Sequence, residues 1–123
     1  MYSKKTEWGE LAVAQSVFGR IAAEAAKPFG NRLQFCNARG KAVSSSDNGS
    51  FLEISEENGR PIIKVYVLIR FGAGITRITN GMIERIGEQT ETLLGVSPES
   101  ISVIVKGVFS KNVAKRNIEV TKE

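Results

Sequence analysis

Apolar residues recur between Gln15 and Lys27 at Val17, Phe18, Ile21, Ala22 and Ala25. Spacing of three and four puts them on one face of a helix, with Arg20, Glu24 and Lys27 facing water. Pro28 ends this helix because it lacks an N–H and disfavours helical geometry at Lys27. Gly30-Asn31 then turns the chain. Two short runs, Gly9–Ala14 before the helix and Leu33–Cys36 after it, read as strands. The polar stretch from Asn37 to Ser50 reads as a mobile loop centred on Ser44–Gly49. Strand Phe51–Ser55 and strand Ile62–Phe71 flank an Asn58-Gly59 turn and predict a hairpin. One face of the second strand is apolar throughout (Ile63, Val65, Val67, Ile69, Phe71). The other is mixed (Ile62, Lys64, Tyr66, Leu68, Arg70). A second helix is predicted from Ile75 to Leu94, with a buried stripe of Ile75, Ile78, Met82, Ile86 and Leu93. Gly81 and Gly87 weaken it and leave room for a close approach by another backbone. Gly95 terminates it, and Ile101 to near Phe109 alternates as a last strand.

The order is (β)-α-(β)-β-β-α-β. It predicts an α+β fold, a two-layer sandwich with two helices packed on one face of a small, mostly antiparallel sheet. The chain divides into an N-terminal extension (1–8), one domain (9–109) and a basic C-terminal tail (110–123). At 123 residues it has the size of a single domain.

Composition narrows the chemistry. The chain has no His and a single Cys, Cys36. There is no imidazole to act as a base or metal ligand, and no internal disulfide or thiolate zinc cluster. No apolar run has the length of a membrane span, and Met1–Lys5 leads into no apolar stretch, so neither a transmembrane segment nor a signal peptide is expected. Residues 1–105 carry 12 basic and 11 acidic groups, whereas residues 106–123 carry five basic and two acidic ones. Most of the net charge of +4 therefore sits on the tail, where Lys111, Lys115 and Arg116 offer attraction to an anionic surface.

Candidate sites are few. Gly72 and Gly74, at a strand-to-helix corner, and Arg77 form a candidate anion site. The third glycine of a dinucleotide fingerprint is missing, as is the Gly-Lys-Ser/Thr ending of a P-loop. Glu53, Glu56 and Glu57 cluster before the hairpin turn, and Glu84, Glu88 and Glu91 share a side of the second helix. Both groups read as solvated carboxylates rather than acid–base pairs or metal ligands. Cys36 reads as a small buried hydrophobe. No catalytic residue, metal site or cofactor is expected. The mixed sheet face gives a candidate protein-contact surface: Phe51, Lys64, Tyr66, Leu68, Arg70, Ile104 and Lys106. The same face with the basic tail is the alternative of a small nucleic-acid-binding domain.

The run Gly9-Glu10-Leu11-Ala12-Val13-Ala14 leads into Val17-Phe18-Gly19-Arg20-Ile21-Ala22-Ala23-Glu24-Ala25. It is followed by Ile63-Lys64-Val65-Tyr66-Val67-Leu68-Ile69-Arg70-Phe71-Gly72-Ala73-Gly74-Ile75, an amphipathic helix, Leu94-Gly95-Val96, and Ile101-Ser102-Val103-Ile104-Val105-Lys106-Gly107-Val108. In order and spacing, over about residues 9 to 109, this resembles the alkaline shock protein family of envelope stress response proteins of Gram-positive bacteria. The resemblance implies a non-enzymatic cytoplasmic scaffold or adaptor for the general stress response. It implies self-association and a membrane-anchored protein partner, with a peripheral position at the inner face of the membrane.

Overall fold

The computed structural model describes the backbone of residues 2–6 and 9–13, and backbone and side chains of residues 15–44 and 50–109. The elements are β1 (Tyr2–Thr6), β2 (Gly9–Val13), α1 (Gln15–Ala26), a 3-10 segment (Lys27–Arg32), β3 (Leu33–Phe35), β4 (Leu52–Glu57), β5 (Arg60–Arg70), α2 (Ile75–Leu94) and β6 (Ser100–Phe109). The fold is α+β, with both helices on one side of a four-stranded sheet, as the periodicity predicts. β1 and β2 form a separate antiparallel pair, so Tyr2–Thr6, expected as part of an N-terminal extension, is a strand paired with Gly9–Val13.

β5 is the centre of the main sheet. β4 pairs with it antiparallel over Arg60–Val65, and β3 antiparallel over Val67–Ile69. β6 pairs with it parallel over Ile62–Arg70. Since β6 overlaps both other ranges, it holds one edge of β5 while β4 and β3 share the other end to end. The parallel pair is possible because α2 carries the chain back to the starting end, the crossover that parallel strands require.

The β4–β5 turn is a two-residue hairpin. Asn58 and Gly59 take φ of 56° and 76°, the left-handed pair that matches the twist of the flanking strands. The inner face of β5 presents Ile63, Val65, Val67 and Ile69, all buried against Phe18, Ile21, Ala22 and Ala25 of α1 and Ile78, Met82 and Ile86 of α2. Leu33, Phe35, Phe51 and Leu52 complete the core. The expected apolar faces are longer than the buried ones. β5 ends at Arg70, leaving Phe71 77% exposed, and the ends of α2 overhang the sheet, with Ile75 45% and Leu93 58% exposed. Val17 at the start of α1 is exposed as well. Between them, Thr90 takes a buried place on α2 that its polarity concealed. Its hydroxyl donates to the Ile86 carbonyl at 2.8 Å, so no polar atom is stranded.

The loop after β3 also differs from expectation. The Ser45–Gly49 part of its centre lies outside the described residues, but residues 37–43 are folded rather than mobile. The Asn37 side-chain oxygen accepts from the amides of Arg39 (2.9 Å) and Lys41 (3.0 Å), the Gly40 amide donates to the Asn37 carbonyl (2.8 Å), and Val43 donates to Phe35 (3.0 Å).

Gly81 meets a side chain, not the backbone expected there. A Cβ on Gly81 would stand 2.7 Å from Cζ of Phe29, which packs from the 3-10 segment across α2. Overlap of this kind costs about 1–3 kcal/mol, more than the ~1 kcal/mol of helix propensity that alanine gains. Gly81→Ala should therefore lower stability by about 1 kcal/mol. In a Phe29→Ala background it should raise it by about 0.5–1 kcal/mol. Urea denaturation of the four members of this cycle checks the sign reversal.

Candidate contact face and strand edge

Pairing register decides which side chains share the outer sheet face. Lys64 lies beside Ser102 and Tyr66 beside Ile104, with Glu53 across from Lys64 on β4. Lys64 and Lys106 are exposed, and Leu68, Arg70 and Ile104 are half-buried. Tyr66 is only 9% exposed, and its hydroxyl donates to Glu53 at 2.9 Å, which pushes its pKa above the ordinary value. Phe51 does not belong to this face. It is fully buried, its ring stacked on Phe35 at 4.2 Å between centroids. The reason is positional. Phe51 precedes β4, at the point where β3 gives way to β4 along β5, and its carbonyl accepts from the Tyr66 amide while Cys36 donates to the Tyr66 carbonyl. Its ring fills the seam between the two short strands.

A bulge changes the face further. The register shifts between Val67 and Leu68, so Lys106 is the extra residue in β6 and Val108 falls beside Ile69 on the inner side. Gly107 then lies beside Leu68, whose Cδ2 occupies the space above it. What remains open on the outer face is Leu68 and Ile104 with a charged border, a smaller apolar patch than the strand pattern implied.

The more telling feature is the edge. Among the described residues β6 pairs with β5 and with no other strand. Its stretch Ser100-Ile101-Ser102-Val103-Ile104-Val105 has no charge, proline or glycine. Natural edges are blunted by shortness or charge. β3 has three residues and β4 carries Glu53, Glu56 and Glu57, whereas β6 keeps only Lys106, at the bulge beyond this stretch. Periodicity assigned the strand but gave no sign of which strand would lie outermost.

The other candidates sort as follows. Gly72, Gly74 and Arg77 line an open depression of about 610 Å³ with Arg70, Phe71, Ile75 and Val108. Gly74 caps α2 with φ 87° and no side-chain bond, leaving first-turn amides facing solvent. Glu53 and Glu57 lie on one side of β4 and Glu56 on the other, because successive residues alternate. Among the described residues no cluster of His, Cys, Asp or Glu has the makings of a metal site. Lys111, Lys115 and Arg116 lie outside the described residues. No helix among the described residues is long and apolar enough to cross a membrane. Compared with known proteins, the chain matches no family model, no curated protein and no solved structure.

Cys36 is fully buried, and burial pushes its thiol up to about 11, slightly opposed by Lys106. At pH 8 roughly one thiol in a thousand is then ionised. Native protein should react with a thiol-specific chromogenic reagent far more slowly than protein in denaturant. The pH dependence has a fixed sign. The unfolded chain loses the thiol proton near pH 9 while the folded one keeps it, so stability present below pH 9 drains away up to about 11. Cys36→Ala should flatten that part of the pH–stability curve, by up to about 2 kcal/mol, in melts taken from pH 8 to 11.

Proposed function

We propose that this protein is a non-enzymatic contact module that works by self-association, with the β6 edge as its adhesive element. The observation that carries the reading is the uncharged, unblunted stretch Ser100–Val105 at the end of the sheet. Its outer main-chain groups, which pair with no other strand among the described residues, form a ready template for another strand. A second copy is a fitting occupant, because a two-fold axis through an antiparallel pair is self-matching. Centred on Val103, it sets Ile101 of one copy against Val105 of the other on the inner face. On the outer face it sets Ser102 against Ile104, and it brings no like charges together. The inner residues Ile101, Val103 and Val105 are half-exposed in the single chain, and pairing extends the layer that would cover them.

The resemblance to envelope stress response proteins supports the same class of work: a scaffold or adaptor in the cytoplasm, near the inner face of the membrane and beside a membrane-anchored partner. The sequence chemistry agrees, since no His is present and the one Cys is buried and protonated.

Light scattering across a concentration series should show a reversible rise in mass. Ser102→Lys with Ile104→Lys places charges on the outer side of the edge, where natural edge strands carry them, and should leave a monomer with its melting transition retained. A wild-type chain that stays monomeric at every concentration sinks the reading, as does a folded double variant that associates unchanged.

A further inference from the structure

Charge and apolar exposure gather at one end of the sheet. Here β5 and β6 finish side by side, Phe109 opposite Arg70, with the Phe71 amide donating to the Phe109 carbonyl at 2.6 Å. β3 begins here, Leu33 opposite Ile69, and Arg70 reaches Asn31 of the 3-10 segment at 3.4 Å. α2 also starts here, at Ile75. The described segments that meet, residues 28–34, 68–83 and 107–109, contain no acidic residue. They contain Arg32, Arg70 and Arg77. The opposite end, where the β4–β5 turn, the end of α2 and the start of β6 meet, holds Glu56, Glu57, Glu91 and Glu99 against Arg60. The chain is thus polarised along the strands, basic where β5 leaves the sheet and acidic where it enters.

At the tip of the basic end stands Phe71, 77% exposed, with Ile75 45% exposed one short glycine-rich loop away. Nothing in the strand pattern requires either to face water. Together with Val108 they form the apolar floor and lip of the depression that Arg70 and Arg77 border. An aromatic and an aliphatic side chain held out between guanidinium groups match the layering of an anionic bilayer surface. The apolar tips enter the boundary between headgroups and acyl chains, and the cations stay at the level of the phosphates. A single-stranded nucleic acid is a poorer match, since it would need successive aromatics to stack its bases and this end offers one exposed ring.

We propose that the end of the molecule formed by Arg70, Phe71, Ile75 and Arg77 is a peripheral docking surface for an anionic lipid bilayer. The contact lies at the surface of the membrane. It leaves the Ser100–Val105 edge free, because that stretch begins at the acidic end and pairs with Ile62–Val67, short of Arg70.

The test is co-sedimentation of the full chain with vesicles of phosphatidylcholine alone and with phosphatidylglycerol added. Binding is expected only with the anionic lipid, and should fall steeply with salt. Arg77→Ala should reduce partitioning about fivefold. Phe71→Ala should reduce it about tenfold with an unchanged melting temperature, since the ring lies outside the core. Several results overturn the proposal: no binding to anionic vesicles, equal binding to pure phosphatidylcholine, or tighter capture by a single-stranded oligonucleotide than by vesicles. So does binding that ignores Phe71→Ala and vanishes when Lys111, Lys115 and Arg116 become Ala, which would assign the contact to the tail. A monomer that binds vesicles leaves this proposal standing while removing the self-association reading, so the two fail separately.

Discussion

Among the described residues every other strand of the main sheet pairs with β5 and with no further strand. This is the constraint on which the rest depends. A strand of eleven residues, Arg60–Arg70, offers enough edge for β4 and β3 to line up on one side and for β6 to run along the other. Its inner residues are four consecutive core positions, all β-branched, and both helices pack on them. The backbone of β5 sets the positions of the edges, and its side chains set the position of the core. The weak point of such a plan is the seam where β3 hands over to β4. The stacked rings of Phe35 and Phe51 fill it, and the bonds around Tyr66 keep its backbone satisfied on both sides. A stacked aromatic pair is worth about 0.5–1.5 kcal/mol beyond its burial.

The two ends of β5 have different chemistry because different chain segments converge on them. At the entry end the turn is made by Asn58 and Gly59, glutamates surround it, and the ion pair of Arg60 with Glu99 at 2.7 Å fastens the start of β6 beside it. That pair is partly exposed and contributes at most about 1 kcal/mol, so it serves alignment more than stability. At the exit end arginines and apolar tips replace glutamates. A chain with net charge +4 thereby presents two unlike surfaces, a property that net charge does not describe.

The same topology gives β6 its exposure. β6 is the last strand to be added, it lies parallel to β5, and among the described residues no element covers its far side. Helix α2 shelters its inner face, with Gly87 admitting the Ile101 side chain at 3.5 Å from where a Cβ would stand. The edge itself stays open. Proteins recognise partners through main-chain edges and charged ends, and the described residues of this chain provide both.

Much of the fold was legible in the residues themselves. The three- and four-residue spacing of α1, the limits of α2 from Ile75 to Leu94, the Asn58-Gly59 hairpin and the alternation of β5 and β6 are local properties, written by the period of each backbone conformation. The folded turn at Asn37 was also within reach, since Asn at the first position and Gly at the fourth, Gly40, is a turn signature. Other features were not local. Phe51, Phe71, Ile75 and Leu93 are apolar residues of similar pattern, yet one is sealed in a seam and three face water. The difference is where the sheet ends and which strands share an edge. Lys106 becomes the bulge, and Val108 changes sides, only because β5 and β6 slip by one residue at Val67/Leu68. The sequence by itself determined both helices, the strands from β2 onward and the middle of their inward faces, but not β1 or where those faces end. Only the tertiary structure decided which strand lies at the edge and which charges share an end, because both depend on contacts between residues far apart in the chain.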